Sequence, residues 1–389
     1  MLEGVVKSRN SSLPECAIFR FYVRKSHMTK TVLIAGASGL VGTAAVEKFL
    51  NEGWDVISLS RRHPEIDSLK PYTHVALDLR DPQACELAVK DFAKVTHVIY
   101  TAVFELPGLI PGWSERLQMD TNDQMLRNLL DPLVTVATNL EHVSILQGTK
   151  AYGVHIKPMR IPGRERFPRV VHENFYWLQE DYVKAKAKSS GFAFSFWRPQ
   201  LIVGPNYGVV MNLPPIIGAF AAICKETGRP FGFPGGAPWV WECVDARLVA
   251  DALFWGAQSP AAVGETFNLT NGEVFAWRDM WPAMAEVLGV QVADDSPLSL
   301  AEFLPQNSHV WDSIVTKHGL RPLTMEQIVG ESHHYADFCF AYGATESPNP
   351  AFVSTVKIKL AGFGGVADSE ESFCHWLRKL QERKILPTY

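Results

Sequence analysis

No apolar run in this chain reaches the roughly 18–20 residues that a membrane-spanning helix needs. The longest, Leu213 to Cys224, is interrupted by two prolines and a glycine. An excess of charge of one sign is also missing. Lys and Arg number 37 against 41 Asp and Glu, a net charge of −4, so no basic surface advertises nucleic acid or an anionic membrane. The six cysteines (Cys16, Cys85, Cys224, Cys243, Cys339, Cys374) are scattered and form no CxxC pair. Neither a zinc site nor a redox dithiol is expected, and a reducing, cytoplasmic compartment fits. His155, His172 and the His333-His334 pair lack metal-ligand spacing, so they read as structural or solvated and no metal is expected. There is no GxSxG nucleophile elbow, internal repeat or low-complexity tract. Residues 1–27 hold Glu3 and Glu15, against a transit peptide, and lack the apolar core of a signal peptide. Residues 1–28 therefore read as a disordered extension or an upstream start.

What is present is ordinary globular composition over 389 residues, 47% hydrophobic and 20% charged. From Thr31 onward, short apolar runs alternate with helical periodicity. Strands are expected at Thr31–Ala35, Asp55–Leu59, His74–Leu77, His97–Thr101, His142–Leu146, Phe192–Trp197 and Glu265–Leu269. Helices are expected at 40–50, 82–92 with Asp81 as cap, 120–138, 174–188 ended by Gly191, 244–257, 278–288 and 369–383. Residues 153–171 read as a long loop, and residues 205–240, rich in Pro, Gly and aromatics, as a pocket-forming segment. The fold class is α/β: a Rossmann-type doubly wound parallel sheet with a smaller, mostly helical C-terminal substrate domain. The boundaries read as residues 29–204 for the nucleotide-binding part, with 242–270 returning to it, and 205–389 for the substrate-binding region.

The run Gly36-Ala37-Ser38-Gly39-Leu40-Val41-Gly42 follows the first strand and opens the first helix. Glycines there allow a tight turn and let a pyrophosphate approach the helix N-terminus. The GxxGxxG spacing resembles the short-chain dehydrogenase/reductase form. The second strand ends in Ser60-Arg61-Arg62, where an NAD site wants a carboxylate; guanidinium forks suit a 2′-phosphate, so NADPH is the expected cofactor. Asp78-Leu79 falls where such folds contact adenine, and Thr101-Ala102-Val103 should pass beside the cofactor.

Two tyrosine–lysine pairs compete for catalysis. Tyr182 and Lys186 satisfy Tyr-x-x-x-Lys, but they lie toward the C-terminal end of their helix, whereas a catalytic pair should lie near its beginning. Lys150, just past the fifth strand, and Tyr176, at the start of the following helix, would both face the C-terminal edge of the sheet. At these residues the chain resembles the progesterone 5β-reductase/iridoid synthase-like enzymes. Their tyrosine motif, Asn-Phe-Tyr-Tyr-x-x-Glu-Asp, is matched by Asn174-Phe175-Tyr176-Trp177-Leu178-Gln179-Glu180-Asp181 except at Trp177. Their Leu-Gln-Thr-Gly-x-Lys motif is met by Leu146-Gln147-Gly148-Thr149-Lys150, with Gly148 and Thr149 exchanged. Asn122, Met125 and Asn128 match an Asn-x-x-Met-x-x-Asn helix. Arg198-Pro199-Gln200-Leu201-Ile202-Val203-Gly204 with Met211-Asn212 resembles an Arg-Pro-x-x-Ile-x-Gly segment and its Met-Asn.

The resemblance implies NADPH-dependent reduction of the C=C bond of a hydrophobic enone or enal, including Δ4-3-ketosteroids. Tyr176 would donate to the developing enolate oxygen, and Lys150 would hold the nicotinamide ribose. Gln147, Pro199, Ile202 and Met211 join the cofactor set. Phe104, Trp177, Phe233 and Trp239 are the substrate contacts, in an apolar pocket to which Phe231, Pro234, Trp241 and Phe220 could add. The alternatives are an extended short-chain carbonyl reductase, epimerase or dehydratase using Tyr182 and Lys186, and a non-catalytic NADPH sensor. A homodimer is left open.

Overall fold

The computed structural model describes residues 30–389, so the reading of residues 1–28 falls outside the described residues. Strand β1 (Thr31–Ala35) shows how the sheet is buried on both faces. Leu33 and Ala35 enter one apolar core while Val32 and Ile34 enter another, as a period of two requires. The chain continues through β2 (Asp55–Ser60), β3 (Thr73–Ala76), β4 (His97–Tyr100), β5 (His142–Leu146), β6 (Ala193–Pro199), β7 (Leu201–Val203), β8 (Val240–Trp241), β9 (Cys243–Asp245) and β10 (Glu265–Leu269). Seven of these form one parallel sheet in the order β10-β6-β5-β4-β1-β2-β3. The order reverses between β1 and β4, which opens a crevice at their C-terminal ends.

Helices α1 (Leu40–Asn51), α2 (Pro82–Ala88), α3 (Arg116–Val136), α4 (Phe175–Ser190), α5 (Pro214–Thr227) and α6 (Ala246–Gly256) complete the frame. α1 and α6 cover one face, and α2, α3 and α4 cover the other. Their ends follow local chemistry. Asp81 caps α2 by accepting from Ala84 N at 2.9 Å, with Pro82 at the first helical position. The expected continuation to Phe92 tightens instead into a 3₁₀ turn at Val89–Asp91. Asn174 caps α4, and Gly191 closes it in the left-handed conformation at φ 82°.

The segment 205–240, read as pocket-forming, is built around a buried helix. Pro214 and Pro215 do not break a helix there; they begin α5, where their missing N–H groups would have had no helical partner. Pro214 through Cys224 are all buried, and α5 is the axis of the C-terminal lobe, packed by Trp281, Trp311 and Phe373 among others. The expected helix from Val244 starts at Ala246, because Cys243–Asp245 pairs with β7. Among the described residues no helix is long and apolar enough to cross a membrane.

Candidate active site

A cavity of about 480 Å³ runs along the C-terminal ends of the strands and under the helical lobe. Its floor is the turn after β1. Gly36 holds φ 82°, and a Cβ there would lie 2.6 Å from Ala102 N, so only glycine lets the turn pass the end of β4. Ser38, Gly39, Leu40 and Val41 line the wall. The N-cap residue Gly39 offers no side-chain cap, so the first N–H groups of α1 are left for an anion. Gly42, expected to touch the cofactor, does not reach the cavity. It packs beneath the turn, where a Cβ would come 2.1 Å from Gly36 O.

At one end lie Ser60, Arg61, Arg62, Asp78, Leu79 and Arg80. Ser60 donates to Arg62 O at 2.7 Å, fixing the turn that leaves both guanidinium groups exposed. Arg80 forks onto Asp78 (Nη2 to Oδ2 at 2.6 Å), and this hydrogen bonding holds the Asp78 carboxyl down at about 2. Two asparagines of α3 shape the walls from behind. Asn122 accepts from Phe104 N at 2.8 Å and donates to Phe104 O at 2.7 Å, while Asn128 donates to Leu79 O at 2.8 Å. Met125, between them, lines the cavity. The Asn-x-x-Met-x-x-Asn spacing thus serves both loops from one helix face. Together with the α1 N-terminus, these groups suit an elongated dinucleotide.

Toward the other end are Thr101, Ala102, Val103, Phe104, Gln147, Lys150, Tyr176, Pro199, Ile202 and Met211, all on the wall. Tyr176 sits in the first turn of α4. Asn174 accepts from Tyr176 N at 3.0 Å and donates to Lys150 O at 3.2 Å, so one side chain joins the two candidate catalytic segments. Lys150 stands on a 3₁₀ turn, Thr149–Tyr152, in a segment one residue shorter than the Leu-Gln-Thr-Gly-x-Lys pattern. Its Nζ lies 3.3 Å from Glu105 Oε1 and 4.6 Å from the centre of the Trp113 ring. Burial pushes the Tyr176 phenol well above its ordinary range; the Glu105 charge adds to the shift and Arg198 opposes it. The hydroxyl is a neutral donor. Gly148 makes room for it, since a Cβ there would sit 3.2 Å from Tyr176 Oη.

Behind Tyr176 a buried network fixes α4 to the sheet. Arg198 donates to Gln147 Oε1 at 3.0 Å and to Glu180 Oε1 at 2.9 Å, and Arg169 and Lys184 reach Glu180 Oε2 at 2.8 and 3.1 Å. Burial alone would raise the Glu180 pKa, but these cations more than offset it and hold the group ionised.

Trp177 and Phe233 are corrections to the expected substrate contacts. Trp177 follows Tyr176 on a helix and is turned about 100° from it. Its ring lies under Arg169 and Arg198, at 4.8 and 5.5 Å, away from the cavity. Phe233 packs on Trp281 and Phe340, each at 5.3 Å, inside the C-terminal lobe. Phe231 and Phe220 are core residues of the same lobe. Phe104, Trp239 and Trp241 do line the cavity, joined by Trp113, His155, Tyr335 and Phe338. Phe338 meets Trp113, Trp239 and Trp241 at 5.9, 5.7 and 6.1 Å, making an aromatic end wall. Burial, with Lys150 and His172 nearby, pushes His155 down to about 4, so its imidazole is neutral.

Sequence reasoning missed Glu105, Arg80, Trp113, His155, Tyr335 and Phe338. Glu105 and Arg80 were within reach of it, each directly beyond a segment already assigned to the site. Tyr335 and Phe338 come from a helix, Ser332–Cys339, that no local signal ties to the sheet. The competing pair lies elsewhere. Tyr182 donates to Asp131 at 2.8 Å, and Lys186 pairs with the same carboxylate on the α3 side of the helix, outside the cavity.

A family model described as a PRISE-like Rossmann-fold domain matches residues 77–387. Among curated proteins, the (S)-8-oxocitronellyl enol synthase ISY2 of Nepeta cataria is 30% identical over 378 residues, covering 92% of this chain and 91% of its own. The (S)-8-oxocitronellyl enol synthase CYC1 of Camptotheca acuminata is 30% identical over 380 residues, covering 91% and 93%. Among solved structures, UDP-glucose 4-epimerase of Thermotoga maritima with UDP-glucose aligns with a TM-score of 0.62 at 15% identity, over 90% of this chain and 99% of that one. The Thermus thermophilus UDP-glucose 4-epimerase complex with NAD gives 0.61 at 18%, over 90% and 99%. At that identity the epimerases share the fold alone.

Proposed function

This chain belongs to the PRISE-like Rossmann-fold family, and from that premise we propose that it is an NADPH-dependent reductase of the C=C bond of hydrophobic enones or enals. The observation that carries the proposal is the neutral, buried Tyr176 phenol on the cavity wall, tied through Asn174 to the Lys150 segment. Arg61 and Arg62 would take the cofactor's 2′-phosphate, the α1 N-terminus its pyrophosphate, and Lys150 the nicotinamide ribose. Bound NADPH supplies the hydride, which adds to the β-carbon of the conjugated carbonyl compound. Negative charge then grows on the carbonyl oxygen. Tyr176 donates a hydrogen bond to that oxygen and lowers the barrier, an effect typically worth about 3–4 kcal/mol per donor. The product of that step is an enolate or enol, and an enol is what the relatives' names describe. Protonation at the α-carbon can come from solvent, so the chain needs no second dedicated acid.

The aromatic end wall of Trp113, Trp239, Trp241 and Phe338 supports an apolar substrate over a nucleotide sugar, which would ask for several polar partners. Cyclic enones, linear enals and Δ4-3-ketosteroids are the compounds to offer. The test follows NADPH absorbance across such a panel and identifies products. Saturated carbonyl products support the reading; allylic alcohols mean C=O reduction and overturn it. Tight NADPH binding with no oxidation across the panel revives the sensor reading.

A further inference from the structure

We propose that Glu105 is a positioning residue that holds Lys150 in its working place and whose charge Lys150 must cancel; the inference rests on the reading of the site given above. The Glu105 side chain has no exposed surface, and the Lys150 side chain is 14% exposed. Glu105 belongs to the cavity lining, but its carboxylate is shielded from solvent beneath the Lys150 side chain. It receives two donors, Lys150 Nζ at 3.3 Å and Gln118 Nε2. Gln118 Oε1 in turn accepts from Leu106 N at 2.8 Å, so the carboxylate is fixed to the loop that follows β4. From its other side the ammonium meets the face of Trp113. Carboxylate and ring together define where Lys150 can point, and the flexible lysine stem alone would not.

Of the two donors only Lys150 carries a charge, so it is Lys150 that offsets the carboxylate's charge. A shielded carboxylate is unfavourable unless paired. This one is also near enough to Tyr176 to raise its pKa, and hence to oppose an anion growing beside that hydroxyl. On this view Lys150 does two things at once: it presents donors to the cavity, and it cancels a negative charge that would otherwise work against the reaction.

The test is a double-mutant cycle of Lys150→Met and Glu105→Gln, read as kcat with an active enone and as NADPH affinity by quenching of tryptophan fluorescence. Glu105→Gln keeps the volume and an acceptor for Gln118. It is expected to lower kcat three- to tenfold through loss of lysine placement. Lys150→Met is expected to lose a hundredfold or more, because it leaves the carboxylate uncancelled. The double variant is expected to recover at least tenfold in kcat over Lys150→Met, and at least threefold in NADPH affinity. A merely structural Glu105 would move melting temperature without that recovery in kcat. Additive losses, or a double variant no better than Lys150→Met, overturn the inference. If Lys150→Met does not fold, Lys150→Gln replaces it in the same cycle. If the wild-type protein binds NADPH but reduces no enone, the reaction assigned above is wrong; the inference about Glu105 is then decided by the affinity cycle alone.

Discussion

Replacing Tyr176 with phenylalanine removes one oxygen atom from the cavity wall and leaves the ring. The ring is buried and rests against Phe175 at 4.6 Å, so its packing is retained. Among the described residues the hydroxyl has no partner in the way that Tyr182 has Asp131 and Tyr152 has Asn268, so its removal orphans no described buried group. Stability should therefore change by less than about 1 kcal/mol, and NADPH affinity by less than about threefold. The loss should fall on the transition state. About 3–4 kcal/mol of oxyanion stabilisation corresponds to a fall in kcat of roughly 10²–10³-fold. The assay is NADPH oxidation at saturating enone, beside a thermal melt and a cofactor titration on the same sample. A kcat within about threefold of wild type, with the fold and cofactor site intact, would remove Tyr176 from the mechanism and refute the reasoning from its burial.

Because the Tyr176 phenol is held above its ordinary pKa of 10.0, its donor form persists at every lower pH, so the wild-type kcat should show no alkaline fall from this group below pH 10. A Gly148→Ala substitution would bring a methyl to about 3.2 Å from Tyr176 Oη; kcat should drop at least tenfold with little change in melting temperature. Arg61→Ala or Arg62→Ala should weaken NADPH relative to NADH by roughly 10–100-fold, at about 1.5–3 kcal/mol per charged hydrogen bond, as measured by titrating both cofactors. Burial raises Glu242 from 4.5 to about 7, opposed by hydrogen bonds from Val353 N and Gln200. The folded state therefore binds a proton that the unfolded state has released between those values, and stability should fall as pH rises through that window, by up to roughly 3 kcal/mol. Glu242→Gln should flatten that slope in denaturant titrations at pH 5 and pH 7.5.

The strand-and-helix alternation was legible because each buried strand and its crossover helix carry their own periodicity, as Val32 to Ala35 and Val41 to Leu50 do. Helix α5 was not legible, because proline breaks a helix interior but suits its first turn, and sequence alone does not say which applies to Pro214 and Pro215. Of the site, the segments that leave the ends of β1, β2, β4 and β5 could be placed by their position on a parallel sheet. The aromatic end could not. Trp113 and Phe338 meet only through the packing of the helical lobe on the loop after β4, and that contact has no local signature. Trp177 and Phe233 were misjudged for the opposite reason. Their composition suits a pocket, but helix rotation turns one away and the lobe core takes the other.

The loop after β4 runs from the sheet to the start of α3, while its tip is sunk in the helical lobe. Leu109, held at φ 56°, is fully buried in that lobe's core, and Gly108 N donates to Glu331 at 2.9 Å. Chain continuity makes this loop a tether as well as a roof. The lobe cannot swing off the sheet, nor the roof lift, without drawing a leucine from its socket, a step that costs about 1.5–3 kcal/mol. How readily a bulky molecule gets in and out is thus set partly by interior residues that never meet it, and substitutions deep in the lobe should alter traffic through the site while leaving every reacting group in place.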